Sequence, residues 1–579
     1  MGLYDNLNKI EKILFDLLAV CLVGFYIYSA VIQPAETQYH RGVYVIITYV
    51  LVFLLYKSGD GLLRVLDYVL MVLAALSIAY WIANFEAINY RSGAETVLDQ
   101  SVAVVGVLIG VEVARRVVGT VFVVIGSLML LYGVFGASSW IPEVVQHAGD
   151  TFPLLCTNIF YKSDGVFGVM ANVLATYIVL FVIFGAFLEK SGAQRFFIDF
   201  PLAAVGHKIG GPGKVSVIAS GFFGSISGSA IANTVSTGAF TIPMMKKAGF
   251  KPHVAGGIEP AASIGGMFMP PIMGAGGFIM AELTGVPYSQ IMLVAIFPAF
   301  MYFFSVFMMV HFEAKKNNIV GEKSDKKPGE ILRKEWFYVL PLVVITIFML
   351  SGYSPGYSAV LGIATCVVVS WFNAETRMGP KRLVESARAG TESSLQIGAT
   401  LGVIGIIIGV LTFSGLMLTF ADIVIELADG KLYLTILFIA LASLVLGMGV
   451  PVTAAYLITA VVAVPALTHL GVNEIAAHMI VYWLSQDSNI TPPVCIAAFA
   501  GATIAKANMW RTAFVAFKFA KFLYLAPFLF GYVPEFSLNG SASDIAVAFG
   551  LIVVGTYVYT WVLSGIWLNY FKKSDAKAA

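Results

Sequence analysis

Two pairs of polar, breaker-rich segments stand out inside otherwise apolar sequence. The first pair is Ser227-Gly228-Ser229-Ala230-Ile231-Ala232-Asn233 and Gly265-Gly266-Met267-Phe268-Met269-Pro270-Pro271. The second is Gly447-Met448-Gly449-Val450-Pro451-Val452-Thr453 and Asp487-Ser488-Asn489-Ile490-Thr491-Pro492-Pro493. Where a helix breaks at membrane depth, its first half exposes carbonyl oxygens that suit a hard cation such as Na⁺. Its second half exposes N–H groups that favour an anion. Hydroxyl and amide side chains complete an oxygen shell without fixing a charge in lipid. The expected arrangement is therefore two Na⁺ sites. One combines Ser227, Ser229 and Asn233 with backbone around Gly265, Gly266 and Pro270. The other combines Gly449, Pro451 and Thr453 with Asp487, Asn489 and Thr491. A small anion between them would meet Ser227, Gly228, Asn233, Met267, Gly449, Ser488 and Asn489. The competing reading is that these small residues only permit close helix packing.

Two acids lie in or beside these segments. Asp487 sits at the second break, where it would ligate Na⁺, carry a proton or cap the following half-helix. Glu259 lies about two turns before the first break, with a role towards a cytoplasmic cavity open to it. His478 and Tyr482, one turn apart, read as packing residues. The sequence has no His-Glu-x-x-His, P-loop or Rossmann glycine pattern, and Gly224-Ser225-Ile226-Ser227-Gly228 has no well-placed histidine base. A membrane-embedded enzyme is thus the weaker alternative, and transport without a nucleotide site must run on an ion gradient.

The elements that must hold these residues are membrane helices. Of 579 residues, 59% are hydrophobic and 12% charged, against about 25% charged in soluble domains. A net charge of +2 excludes nucleic-acid binding by bulk charge. The four cysteines, Cys21, Cys156, Cys366 and Cys495, have no paired spacing and imply no disulfide or zinc framework. Apolar runs suit spans near 13–31, 43–56, 66–84, 99–114, 117–136, 173–188, 288–312, 336–351, 358–373, 393–413, 512–532 and 543–570, with a loop at 137–170. Basic residues on alternate loops place the N-terminus in the cytoplasm, and Lys572-Lys573 place the C-terminus there too. Lys208 and Lys214 precede the first hairpin and Lys246, Lys247 and Lys251 follow it. Its roughly 30 apolar residues cannot cross twice, which needs about 40, so they form a re-entrant hairpin. A second hairpin at about 431–467 has only Lys431 at its base and would open from the outside. Broken helices at about 252–286 and 473–505 follow the two hairpins. The fold class is an all-α polytopic membrane protein with about 14 transmembrane helices and two re-entrant hairpins.

The two breaker-rich regions repeat at a constant offset of 222 residues: Pro243 with Pro465, Gly249 with Gly471, Ser263 with Ser485, Pro270 with Pro492 and Pro271 with Pro493. Ser191-Gly192 matches Ser414-Gly415 one residue further on. Opposite charge flanks make the repeats, about 173–312 and 393–532, inverted. Broken helices at matching places of inverted repeats mark a transporter's binding site.

Gly-Ser-Ile-Ser-Gly-Ser-Ala-Ile-Ala-Asn from 224, Met-Pro-Pro-Ile-Met-Gly from 269 and Ile-Thr-Pro-Pro-Val from 490 resemble the large membrane subunit of the tripartite ATP-independent periplasmic (TRAP) transporters. Phe184-Gly185-Ala186-Phe187-Leu188-Glu189-Lys190-Ser191-Gly192 is similar to the TAXI branch, with small and large subunits fused. That resemblance implies a four-helix small subunit at 1–114, a connecting helix and external loop at 115–170, and a large subunit with an elevator-type ion-transporter fold at 171–579. It also implies Na⁺-driven uptake of an organic acid such as a dicarboxylate, glutamate or 2-oxoglutarate. The acid would arrive from a periplasmic TAXI-type binding protein, at a monomeric component of the bacterial or archaeal inner membrane. A proton-coupled or binding-protein-independent carboxylate carrier remains open as the alternative.

Overall fold

The computed structural model describes residues 3–567, so Lys572-Lys573 lie outside it. The regular structure of the described residues is all helical, apart from one isolated bridge between Ile209 and Val320. Ten of their helices are long and apolar enough to cross a membrane. Shorter apolar helices, among them Thr120–Phe135, Pro355–Ser370 and Leu432–Leu446, lie between them.

Local chemistry sets the helix ends. Lys9–Val31 opens on a reciprocal cap in which the Asn8 side chain accepts from the Glu11 N–H and Glu11 reaches back to the Asn8 N–H. Val97–Val117 opens in the same way on Thr96 and Asp99. Each cap satisfies two donors that a helix start leaves orphaned. The expected loop at 137–170 instead contains the helix Phe152–Tyr161. Pro153 favours its first turn, and ten residues are too few to register as a span. The basic stretch around Lys381 and Arg382 is also helical, within Pro380–Gly398, which a turn separates from Leu401–Ser414. The helix Val169–Lys190 passes through one π-helical turn at Leu174–Ile178.

The chain divides into two compact units. The first comprises residues 1–190, 351–429 and 449–466. Within it, Arg64 binds Glu11, lies 3.4 Å from Asp67 and caps the carbonyls of Phe53 and Leu54. Arg116 continues the network to Asp67 and Glu112, each at 2.7 Å. Arg388 pairs with Asp16 at 2.6 Å, tying Pro380–Gly398 to the first helix. Glu11, Arg64, Asp67, Glu112 and Arg116 lie on Lys9–Val31, Leu62–Ala83 and Val97–Val117 and compensate one another, as buried charges must. Gly110 and Gly402 bring Val97–Val117 and Leu401–Ser414 into backbone contact: a Cβ on Gly402 would lie 2.5 Å from the Gly110 Cα.

The second unit comprises residues 191–350, 430–448 and 467–579. It holds the first hairpin, with arms Gly211–Ser227 and Ala230–Lys247, and both broken helices. At 1.5 Å per residue the 17- and 18-residue arms span roughly 26 Å each, short of a full crossing. The second hairpin has its first arm, Leu432–Leu446, in this unit and most of its second arm, Val452–His469, in the other.

The repeat is visible in the backbone. Ala230–Lys247 and Val452–His469 coincide at the offset of 222, as do the helix starts at Pro252 and Glu474. Gly249 and Gly471 both have positive φ, and so do the non-glycines Met273 and Cys495 at the same offset. Pro270-Pro271 and Pro492-Pro493 are both cis.

Candidate functional site

The tip of the first hairpin is built by three consecutive residues. Ser227 ends the first arm, Gly228 turns the chain with φ of 62°, and the Ser229 hydroxyl caps the second arm by accepting from the Ala232 N–H at 3.3 Å. Glycine alone adopts that left-handed turn freely. The Ser227 hydroxyl donates locally to the Ser229 carbonyl at 3.3 Å. Asn233, one turn into the second arm, is fully buried, and its amide donates to the carbonyls of Ser220 (3.0 Å) and Ser263 (3.4 Å). It thereby stitches both hairpin arms to the helix that precedes the first break.

That helix, Pro252–Gly265, gives way at Gly266–Phe268 and resumes at Gly276–Thr284. Gly224 and Gly266 pack backbone on backbone, because a Cβ on Gly266 would lie 2.2 Å from the Gly224 Cα. Six expected residues, Ser227, Ser229, Asn233, Gly265, Gly266 and Pro270, thus belong to one hairpin-and-break assembly. Met267 is buried there, and its carbonyl accepts from the Tyr482 hydroxyl at 2.7 Å. Tyr482 also reaches the Met273 carbonyl at 2.6 Å. Tyr482 therefore does more than pack: its hydroxyl holds both sides of the first break. A buried tyrosine needs such a partner, but a separation of 215 residues hides it from sequence reading.

Glu259 does not face a cavity. It is fully buried, with its carboxylate ringed by hydroxyls. Ser216 and Thr241 donate to one oxygen, Ser220 (2.6 Å) and Thr237 to the other, and Ser263 lies at 3.5 Å. The donors come in pairs four residues apart, 216 with 220 and 237 with 241, so each hairpin arm presents one face to the acid. This carboxylate pins the hairpin to the broken helix.

The second break differs in composition. Glu474–Leu484 ends, Asp487–Asn489 forms a single tight turn, and Ile496–Ala505 follows. Asp487 is 2% exposed, and its Oδ1 has no hydrogen-bond partner. Both polar atoms of the buried Gln486 amide and the hydroxyl of the buried Ser443 are likewise unpartnered. Ser443 lies on the hairpin arm that meets this break: a Cβ on Gly447, one turn further along, would lie 2.4 Å from the Ser488 Cβ. Asn489 donates to the Gln486 carbonyl at 3.2 Å, and Thr491 bonds the Tyr524 hydroxyl. Four unmet buried polar atoms are costly unless something binds them. Three of the four, Asp487 Oδ1, Gln486 Oε1 and Ser443 Oγ, are oxygens of the kind Na⁺ takes, and Asp487 brings a negative charge, whereas Gln486 Nε2 is a donor and would not ligate a cation. Gln486, which the sequence reading passed over, belongs to this set. Neither half-helix after a break, Gly276–Thr284 or Ile496–Ala505, has a side-chain cap, which leaves N–H groups for an anion. Gly449, Pro451 and Thr453 belong to the first unit, where Gly449 packs against Val121.

Residues 105–536 match the sequence model of the DctM component of the tripartite ATP-independent periplasmic transporters. A putative TRAP transporter large permease of Haemophilus influenzae is 26% identical over 323 residues, 55% of this chain and 74% of that protein. The 2,3-diketo-L-gulonate TRAP transporter large permease of Escherichia coli is 24% identical, and the C4-dicarboxylate counterpart of Pseudomonas aeruginosa 25%. Each of these two alignments covers 62% of this chain and 84% of the relative. The crystal structure of the Alcanivorax borkumensis YdaH transporter aligns with 75% of this chain and 98% of its own, at 15% identity and a TM-score of 0.47.

Proposed function

The chain belongs to the DctM component family of the tripartite ATP-independent periplasmic transporters, and from that premise we propose that it imports an organic acid anion with Na⁺. The observation that carries the ion assignment is the buried, unpartnered set at the second break: Asp487 Oδ1, the Gln486 amide and the Ser443 hydroxyl. Na⁺ entering there neutralises Asp487, so the acid's carboxylate can approach the uncapped half-helix N-termini without repulsion. Ser227, Ser229 and the carbonyls around Gly265–Pro270 would supply the first ion site. Asn233, whose NH₂ is committed to two carbonyls, would contribute through Oδ1.

The related permeases are named for 2,3-diketo-L-gulonate and for C4-dicarboxylates. Both are organic acids, which supports the substrate class. On this reading a periplasmic TAXI-type binding protein delivers the acid. The first 114 residues act as a fused small subunit, and the hairpins and broken helices move as an elevator in the inner membrane, with both termini cytoplasmic. The test is uptake into proteoliposomes, with the cognate binding protein loaded with candidate acids. Uptake should need both the Na⁺ gradient and the binding protein. Equal uptake on a proton gradient without Na⁺ would replace the Na⁺ reading with proton coupling through Asp487.

A further inference from the structure

Next to the first break, on the side away from its hydroxyl ring, the second unit contains a groove of about 610 Å³. Three helices and the break supply its walls. Val217, Ile218 and Phe222 lie on the first hairpin arm, Phe300, Phe304 and Phe307 on the helix Tyr288–Lys316, and Val343 and Ile347 on Leu340–Leu350. Met269, Pro270 and Pro271 of the break form part of the lining, and Ser225 and Thr346 are its only polar side chains. Several lining residues are well exposed although they stand on apolar helices, with Phe300 and Ile347 both at 55%. In a membrane chain the medium that meets such a surface is the hydrocarbon of the bilayer.

A basic pair outside the lining adjoins the groove at Phe307. Lys214 lies one turn before Val217 on the hairpin arm, and its ammonium sits 5.0 Å from the ring centroid of Phe307, a lining residue. His311, one turn beyond Phe307, brings Nδ1 to 3.1 Å from the Lys214 Nζ. Lys214 is 6% exposed, and His311 is its only polar side-chain partner among the described residues. A buried ammonium normally has an anionic partner. Here the ammonium instead borders an apolar trough through Phe307. Lys208, Lys246 and Lys247 near the same hairpin base mark it as cytoplasmic by the positive-inside reading, and the lipids of that leaflet are enriched in anionic headgroups.

We propose that this groove is a binding site for an anionic phospholipid of the cytoplasmic leaflet, its phosphate on Lys214 and His311 and one acyl chain lying along Phe307, Phe304 and Phe300 to Pro270-Pro271. The chain fills the apolar side of the first break, so the lipid props the hairpin arm against the break from the face opposite Glu259. The site belongs to the membrane chain itself and does not depend on which solute or ion the protein carries.

The full chain, purified and delipidated in neutral detergent, tests this by thermal unfolding with added dioleoyl-phosphatidylglycerol, dioleoyl-phosphatidylcholine or inorganic phosphate. Phosphatidylglycerol should raise Tm beyond phosphatidylcholine of the same chains, and phosphate alone should not reproduce the rise. Lys214→Gln with His311→Gln should lose the phosphatidylglycerol excess while keeping the phosphatidylcholine increment, and Lys214→Arg should retain the excess. Val343→Phe, which narrows the trough without touching the charges, should reduce the phosphatidylglycerol retained per protein in native mass spectrometry. Equal increments from both lipids, an excess that survives the double substitution, or an increment from phosphate as large as that from phosphatidylglycerol would each overturn the proposal.

Discussion

Gly266→Ala probes how the first hairpin is seated on the first break. The added Cβ would lie 2.2 Å from the Gly224 Cα, 2.5 Å from the Gly224 carbonyl carbon and 3.1 Å from the Ser225 nitrogen. All three neighbours are backbone, so no rotamer change absorbs the clash. To restore an ordinary separation of 3.4 Å the two segments must part by about 1.2 Å, the difference from 2.2 Å. That displacement would stretch the bond from Asn233 on the hairpin to Ser263 on the broken helix, already at 3.4 Å. Overpacking of this kind costs about 1–3 kcal/mol, and an unyielding backbone neighbour places this case near the upper end. Thermal unfolding of the purified chain should show the loss, and uptake should fall with it. Gly224→Ala meets the same contact from the other side, 2.5 Å from the Gly266 Cα. The double variant should therefore cost less than the sum of the singles, with a coupling of about 0.5–3 kcal/mol. A Gly266→Ala protein with unchanged Tm and uptake, or strictly additive costs, would refute the seating.

Three other substitutions test separate contacts. Glu259→Gln keeps the shape but gives the hydroxyls of Ser216, Ser220, Thr237 and Thr241 one acceptor oxygen in place of two; it should cost about 1–3 kcal/mol, read as a lower Tm, whereas an unchanged Tm would mean the ring does not hold the hairpin. Arg64→Met removes one of two cationic partners of Glu11, leaving Lys57 at 3.3 Å, and one of two of Asp67, leaving Arg116; a loss of about 1–3 kcal/mol is expected from the lost charged hydrogen bonds, and chemical unfolding should report it. Tyr482→Phe frees the Met267 and Met273 carbonyls; Tm should fall by the equivalent of about 1–3 kcal/mol, and uptake should fall with it as the first break loosens.

Much of this site was legible from residue types. Serine, asparagine, glycine and proline inside apolar sequence located both breaks and the first hairpin tip, because lipid tolerates irregular backbone in few places. The offset between Pro270-Pro271 and Pro492-Pro493 carried over into helix bounds and into the paired positive φ of Met273 and Cys495. What stayed hidden depends on packing across long separations. The ring around Glu259 needs three helices in one register, and Tyr482 reaches a break 215 residues earlier. Gln486 carries no signal in the sequence, because only burial leaves its amide without a partner. Pro380–Gly398 was obscured by the charges at its start, because span recognition depends on continuous hydrophobicity.

Na⁺ binding at the breaks can be tested without knowing the transported acid. The measurement is the Tm of the purified chain in NaCl against choline chloride at equal ionic strength, for the wild type and for Asp487→Asn. A ligand that binds only the folded state stabilises it by about 2.7 kcal/mol at one hundred times its dissociation constant. Saturating Na⁺ should therefore raise the wild-type Tm, and Asp487→Asn should lose most of that rise. Identical wild-type Tm values in the two salts would rule out Na⁺ binding, and a Na⁺ response that Asp487→Asn leaves intact would remove Asp487 from the ion site.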